Sequence, residues 1–287
     1  RRCNLRKHSQ QLHRKNNAER FIKTHKKPLL IVIIAIAAII IAAVIVSNVA
    51  TKSGFETSFL STRDTVKIGI RTDVDGFGSV DEYGNIIGFD REYIDAVLKE
   101  LLGDREKMYE YYPLTSQDAG GTMKYGTADI AIGLLSSGLD KTKGFTLTKP
   151  YYTDDVVLVM RKDSRAQGIN DVEGNTIGLL STAVPSGDFI KHLQKIGAEK
   201  EIVRYSDYES AMLDLDAGRI PAIAIPRALS KQFVNAEYRI AADPVYEIGY
   251  SIMLPTGQKA VETEFNRAID KLDSDGTTLT LEKKWGI

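Results

Sequence analysis

An unbroken apolar segment near the start restricts the folding of this chain more than any other feature. Leu29 to Val46 are eighteen residues without a charge or a proline. At a rise of about 1.5 Å per residue, a helix of this length reaches roughly 27 Å, close to the hydrocarbon thickness of a bilayer. A helix in a soluble core is rarely this long or this uniformly apolar. We therefore predict a transmembrane anchor within residues 29–50.

The charges on either side of this segment predict its orientation. Residues 1–28 hold ten Lys or Arg and a single acidic residue, Glu19. Positive charge beside an apolar helix favours the cytoplasmic side, so we expect a basic cytoplasmic tail at 1–28, one crossing of the cell membrane and an extracytoplasmic remainder. That remainder carries 28 basic and 37 acidic side chains, a net charge of −9. Such an acidic domain is not expected to bind nucleic acid.

A cleaved signal peptide is the alternative to an anchor, because it also places a basic region before an apolar one. Its apolar region is usually shorter, and Asn48 before Ala50 is a poor small-x-small cleavage site. The only cysteine, Cys3, precedes the segment, so the exported part has no thiol and no disulfide. A zinc site formed by Cys3 and nearby histidines is the alternative to a plain basic tail.

Beyond the anchor, residues 51–64 are rich in Ser and Thr and are predicted to form a tether. The apolar pattern then alternates between strands and helices. Strands are predicted at 66–70, 128–135, 156–160, 176–180 and 220–225, with a hairpin turn at 81–85. Helices are predicted after an Asp90 cap, after Ser186, from a Ser206–Glu209 capping box to Ala217, and around 261–272. This alternation predicts an α/β architecture with mainly parallel sheets.

Four short phrases occur in a fixed order after residue 65: Gly88-Phe89-Asp90, Gly126-Thr127-Ala128-Asp129-Ile130, Lys149-Pro150-Tyr151-Tyr152, and Asp275-Gly276 followed by Leu281-Glu282-Lys283-Lys284-Trp285. In this order and spacing, residues 65–287 resemble the extracellular solute-binding proteins of amino-acid ABC transporters, family 3, with the type II periplasmic-binding-protein fold. The resemblance implies one lobe at 65–155 plus 250–287 and another at 156–249. Two crossing strands would form the hinge, and ligand would bind in a cleft that closes around it.

The same resemblance marks candidate ligand contacts in the first lobe. Leu134 and Ser136 follow the buried strand, and Lys141 stands where the family has an Arg that grips the ligand α-carboxylate. Lysine keeps the charge but loses the two-pronged geometry; an exposed lysine is the alternative. Phe77 is expected as a wall of the cleft, with core packing as the alternative. Asp73 is a further candidate contact, with a solvated turn as the alternative.

In the second lobe, the resemblance points to the segment after the strand at 176–180. Thr182 and Ser186 are the hydroxyls expected near a carboxylate, and Val184 occupies the usual hydroxyl position. Pro226 stands where the family has the Asp that pairs with the ligand ammonium, and Arg227 follows it. A buried ammonium without an acidic partner is costly.

These departures shape the expected ligand. If Arg227 faces the cleft, two cations favour a small carboxylate without an α-amino group. If it faces solvent, the site is degenerate or holds an amine through Asp73 and Asp75. In either case we expect neutral α-amino acids to bind weakly or not at all.

The sequence thus predicts a membrane-anchored, monomeric, extracytoplasmic protein that captures a small polar solute, an amino acid or related small carboxylate, for an ABC permease. A ligand-sensing receptor domain is the alternative, and a dehydratase-like enzyme on the same fold is a more distant one. The exported part has one histidine, His192, and no cysteine, which removes the commonest nucleophile–base pairs. Neither a metal nor a cofactor is expected.

Overall fold

The computed structural model describes residues 32–51, 53–103, 107–115, 117–233 and 237–287. The predicted basic tail at 1–28, Cys3 and the first residues of the predicted anchor lie outside these ranges. The chain divides into an N-terminal unit that ends at Gly54 and a compact unit from Phe55 to Ile287. Each unit is described by itself.

In the N-terminal unit, the apolar sequence forms a helix. This helix, α1, runs Val32–Glu56, so that its last two residues are counted with the compact unit, and by length and composition it is able to cross a membrane. Its aliphatic side chains are largely exposed, as expected for a helix whose apolar surface is not packed against protein. The apolar helix predicted within 29–50 is therefore formed over its described part.

The compact unit begins inside the segment predicted as a tether. Phe55 and Leu60 are buried in its core, and a short helix, α2, spans Phe59–Thr62. The Ser58 hydroxyl donates to the Phe55 carbonyl oxygen at 2.6 Å. From Phe55 onward the segment predicted as a tether therefore belongs to the compact unit, because the apolar side chains among its Ser and Thr residues gain stability by burial.

The compact unit is built on one large mixed sheet. The strands of the unit are β1 Thr65–Arg71, β2 Ser79–Val80, β3 Ile86–Ile87, β4 Met108–Leu114, β5 Ile130–Ile132, β6 Thr146–Arg161, β7 Thr176–Leu180, β8 Glu201–Tyr205, β9 Ala222–Pro226, β10 Tyr238–Ile240 and β11 Tyr246–Leu254. Of these, β2 and β3 pair with each other in a separate two-stranded sheet. The further helices of the unit are α3 Phe89–Leu102, α4 Ala119–Lys124, α5 Ser186–Lys195, α6 Tyr208–Asp216, α7 Arg227–Ser230, α8 Lys259–Ser274 and α9 Thr277–Trp285.

The strand order of the large sheet is β4-β1-β5-β11-β6-β9-β7-β8, with β10 beside β6. The parallel strands β4, β1 and β5 form the first lobe, and the parallel strands β9, β7 and β8 form the second. Long β6 and β11 run antiparallel between them, with Asp155 opposite Glu247 and Tyr152 opposite Tyr250. The predicted two-lobed α/β fold with a hinge of two crossing strands is confirmed.

Several local predictions are also confirmed. β1 and β7 match the predicted strands at 66–70 and 176–180, and the turn at 81–85 joins β2 to β3. Gly103 ends α3 with a φ of 58°, a conformation in which glycine avoids the strain that a side chain imposes.

Three local predictions are wrong. Asp90 does not cap α3; it lies in the first turn after Gly88 and is fully buried. The capping residue of α6 is Asp207, whose carboxylate accepts from the Ser210 backbone N–H at 2.8 Å, and not the predicted Ser206. The strand predicted at 128–135 is only Ile130–Ile132, because the next two residues turn away with positive φ values.

Candidate functional site

The two lobes face each other through the loops that follow their parallel strands. In parallel sheets, ligands bind beyond the carboxyl ends of the strands. Here the loops after β1 and β5 in the first lobe meet the loops after β7 and β8 in the second. Between them lie two cavities of about 570 and 170 Å³ that share Gln117, Thr182 and Ser206. These adjoining cavities form the candidate cleft.

The larger cavity brings together three of the predicted site residues. Lys141 comes from a 3₁₀ turn after β5, Thr182 from the loop after β7, and Ser186 from the first turn of α5. The full lining is Gln117, Gly138, Leu139, Asp140, Lys141, Lys143, Ser181, Thr182, Ser186, Gly187, Arg204 and Ser206. It combines a cation, hydroxyls and the N-terminus of a ten-residue helix, all suited to an anion.

Lys141 is the titratable group of this cavity whose pKa moves most. Burial and the charge of Arg71 together lower the pKa of Lys141 to about 8, against the opposing charge of Asp73. These effects place the lysine charge near Arg71 and Asp73, although Lys141 and Arg71 line different cavities.

The smaller cavity contains Arg71, the last residue of β1, which sequence reasoning did not single out. Arg71 is 4% exposed. Its Nε donates to Asp73 Oδ1 at 2.6 Å and its Nη2 to Asp73 Oδ2 at 3.2 Å. Its Nη1 is buried without a hydrogen-bond partner among the described residues. Asp73, a predicted contact, lines the same cavity and is about half-exposed.

The loop after β5 is packed tightly against Arg71. Gly133 has a φ of 128°, and a Cβ atom built there lies 2.2 Å from the Arg71 Cβ. Leu134 follows with a φ of 51°, a rare conformation for a residue with a side chain. Only glycine fits at position 133, so the close packing of this loop against Arg71 depends on Gly133.

The lobes touch beside the larger cavity. A Cβ atom built at Gly138 in the first lobe lies 2.9 Å from Asp188 Oδ2 and 3.0 Å from Pro185 Cβ in the second. Ser136 is buried in the same loop, and its carbonyl oxygen accepts from the Thr142 hydroxyl at 3.0 Å. The contact at Gly138 shows that the loops approach closely enough to enclose a ligand.

Five predicted residues line neither of the two cavities: Phe77, Leu134, Ser136, Val184 and Arg227. Phe77 is 2% exposed, with its ring centroid 5.0 Å from that of Tyr152 and 5.9 Å from that of Phe89. Phe77 therefore packs in the core, which was the alternative interpretation of its sequence position, and it does not form a wall of the cleft. Val184 and Leu134 are also buried in the hydrophobic core, so their side chains do not contribute to the cavity linings.

Arg227 belongs to the hinge. Its Nη2 and Nε lie 3.2 and 3.3 Å from Asp155 Oδ2, with the two side chains 40% and 41% exposed. Next to it, Asp154 accepts from the Ala228 backbone N–H and from the Tyr250 hydroxyl, each at 3.0 Å. The buried arginine of the cleft is therefore Arg71, and Arg227, which one of the sequence alternatives placed there, lines neither cavity.

Sequence reasoning missed the residues that line the cavities from outside the predicted loops: Arg71, Gln117, Arg204, Ser206, Asp207, Tyr208 and Glu209. For Arg71 a signal existed, because a charged residue that ends an apolar parallel strand lies at the edge where ligands bind. Within the described ranges, no group of three or more His, Cys, Asp or Glu residues is arranged to hold a metal ion.

Comparison with known proteins agrees with this geometry. A family model described as bacterial extracellular solute-binding proteins, family 3, matches residues 66–287. The ABC transporter glutamine-binding protein GlnH of Bacillus subtilis is 25% identical over 241 residues, covering 82% of this chain and 87% of that protein. The ABC transporter arginine-binding protein 1 of Escherichia coli is 23% identical over 78% of this chain and 92% of its own length.

Solved structures show the same fold. A mutant of ArgBP from T. maritima superposes with a TM-score of 0.56 at 25% identity, covering 79% of this chain and 96% of that one. An ABC uptake transporter substrate-binding protein from Streptococcus pneumoniae, with bound histidine, gives a TM-score of 0.60 at 21% identity over 81% and 96%.

Proposed function

Because this chain belongs to the bacterial extracellular solute-binding proteins of family 3, we propose that it captures an amino acid or related small carboxylate in the interlobe cleft and delivers it to an ABC permease. The observation that supports this proposal most directly is the larger cavity, where Lys141 of the first lobe faces Thr182 and Ser186 of the second. The relatives with which it was compared are solute-binding proteins, which supports binding rather than catalysis.

The ligand carboxylate is proposed to lie between Lys141 and the start of α5. A lysine ammonium attracts an anion by charge, and the free N–H groups of a helix N-terminus add directed hydrogen bonds. One carboxylate that contacts both lobes is more stable in the closed arrangement than in an open one, so it favours closure about β6 and β11. This mechanism requires only a hinge and complementary charges.

The helix α1 is proposed to remain as the membrane anchor, with the compact unit outside the cell. Protease treatment of intact cells tests this arrangement. We expect the compact unit to be digested without lysis, while a fragment containing residues 32–51 stays with the membrane. Digestion only after lysis contradicts the orientation, and a mature N-terminus near Ala50 contradicts the anchor.

Binding is tested with the full chain in lipid nanodiscs and a panel of amino acids and small mono- and dicarboxylates. A ligand at about 100 times its Kd stabilises the folded state by roughly 2.7 kcal/mol, which a thermal shift detects. We expect at least one panel member to stabilise the chain, and Lys141→Met to remove that effect. The absence of stabilisation across the panel contradicts the proposal.

A further inference from the structure

The proposed carboxylate site does not explain Arg71. This arginine is almost fully buried, yet it lines the smaller cavity. Burying a guanidinium is costly unless its charge and donors are matched. The loop at Gly133 leaves no room for a side chain beside it, so the local structure holds the arginine in place.

Asp73 satisfies only some of the hydrogen-bond donors of Arg71. The carboxylate accepts from Nε and Nη2, while Nη1 has no hydrogen-bond partner in the part of the chain that the structure describes. Across the cavity, in the second lobe, the buried Tyr208 hydroxyl also has no partner at hydrogen-bond geometry among those residues. Burial raises the pKa of Tyr208, and Arg71 opposes this rise by its charge and as a hydrogen-bond donor to the phenol oxygen. The two side chains are therefore neighbours across the cavity, although no contact between them meets strict hydrogen-bond geometry.

The acidic residues of the smaller cavity are already committed or lie at its rim. Asp73 pairs with Arg71, and Asp207 accepts from the Ser210 backbone N–H at 2.8 Å and from the Ser206 hydroxyl at 3.0 Å. Glu209 is exposed. Two buried groups keep open hydrogen-bonding capacity: Arg71 Nη1, which donates, and the Tyr208 hydroxyl, which donates one hydrogen bond and also accepts. They are complementary to an acceptor that carries negative charge.

We propose that Arg71, with Tyr208, binds a second carboxylate of the ligand, so that the cleft selects small dicarboxylates over the corresponding monoamides. This inference rests on the proposed function and adds a specificity-determining residue to it. The first carboxylate lies at Lys141 in the larger cavity and the second at Arg71 in the smaller one. Because the two cavities share Gln117, Thr182 and Ser206, a short carbon chain spans both sites.

The charges in the cleft also support one carboxylate at Lys141 and a second at Arg71. Arg71 acts on the pKa of Lys141 by like-charge repulsion, so the two cations destabilise each other until anions reach them. A dicarboxylate relieves this repulsion at both ends. A monoamide presents an NH₂ group in place of one carboxylate oxygen and opposes donors with a donor, which sites built for a specific hydrogen bond reject strongly.

Calorimetric titration of the full chain in nanodiscs tests the inference with three matched pairs: glutamate and glutamine, aspartate and asparagine, and succinate and succinamate. The first two pairs carry an α-amino group and the third does not. We expect the tightest-binding dicarboxylate to bind at least 10-fold more tightly than its amide. The pair in which this occurs shows whether the ligand is an acidic amino acid or a simple dicarboxylate.

Three variants assign the selectivity to its residues. We expect Arg71→Gln to reduce the dicarboxylate preference to less than 3-fold while amide affinity changes less than 3-fold. Tyr208→Phe removes one hydroxyl and is expected to weaken only the dicarboxylate, which keeps the test valid if Arg71→Gln unfolds. Arg219→Gln, an exposed arginine paired with Asp214, is the matched control and should leave both affinities unchanged.

The outcomes separate the two proposals. If a panel member binds in a Lys141-dependent way but amides bind as tightly as dicarboxylates, the inference about Arg71 is wrong and the proposed function stands. Equal losses for acid and amide in both Arg71→Gln and Tyr208→Phe also overturn the inference. If no compound of the wider panel binds, the proposed function itself fails.

Discussion

Asp90 and Tyr151 form a buried hydrogen bond in which the tyrosine hydroxyl donates to the Asp90 carboxylate at 2.6 Å. The pKa of Asp90 is raised to about 7, because burial outweighs the Tyr151 hydrogen bond and the Arg71 charge, which both lower it. The other carboxylate oxygen, Oδ2, has no hydrogen-bond partner among the described residues. Asp90 therefore has a higher proton affinity in the folded state than in the unfolded state.

This shift predicts a loss of stability as the pH rises from about 4 towards 7. Between these values the folded state binds more protons at Asp90 than the unfolded state does, so the free energy of unfolding falls with pH. The slope is at most about 1.4 kcal/mol per pH unit. We expect Asp90→Asn, which mimics the protonated acid, to show less of this decline in denaturant titrations. Exposed Asp243→Asn is the control, and parallel curves for wild type and Asp90→Asn contradict the prediction.

A second prediction concerns the glycine beside Arg71. Gly133→Ala should lower the thermal midpoint, because φ at this position is 128° and the new Cβ atom would meet the Arg71 Cβ at 2.2 Å. Strained backbone of this kind costs about 1–3 kcal/mol. Gly121→Ala in α4 is the control, since no atom lies within 4 Å of its added Cβ. Equal midpoints for the two variants would be inconsistent with the described loop.

A third prediction separates Lys141 from Arg227. Lys141→Met should weaken the tightest panel ligand at least 10-fold, because it removes a charge from the larger cavity. Arg227→Gln should change its affinity less than 2-fold, because Arg227 pairs with Asp155 in the hinge. That pair is partly exposed and contributes less than about 1 kcal/mol to stability. Calorimetric titration of both variants tests this prediction. A larger loss of affinity in Arg227→Gln than in Lys141→Met would contradict it.

A fourth prediction is a pH dependence of binding. The pKa of Lys141 is lowered to about 8 by burial and by Arg71, so the lysine loses its charge as the pH rises through this value. A bound anion favours the protonated lysine, and affinity should therefore be constant below pH 7 and weaken above pH 8. The affinity weakens by at most about 10-fold per pH unit. In Lys141→Arg the charge persists, and calorimetry should show a flatter profile; identical profiles argue against this role of Lys141.

Local sequence patterns predicted much of the fold but less of the cleft. The strands β1 and β7 follow from their own apolar residues, and Gly103 marks the end of α3. Phe77 and Val184 were harder to place, because whether a side chain faces core or cleft depends on distant partners. Arg71 shows this limit clearly: its burial requires the turn at Gly133 and Tyr208 from the other lobe.

The central claim, that a solute is held between both lobes, is tested most directly by hydrogen–deuterium exchange of the full chain in nanodiscs with and without saturating L-glutamate. The account predicts slower amide exchange in residues 133–142 of the first lobe and residues 181–187 of the second, at the same glutamate concentration, with both effects lost in Lys141→Met. Protection confined to one lobe, or unchanged exchange in both segments at saturation, would contradict it.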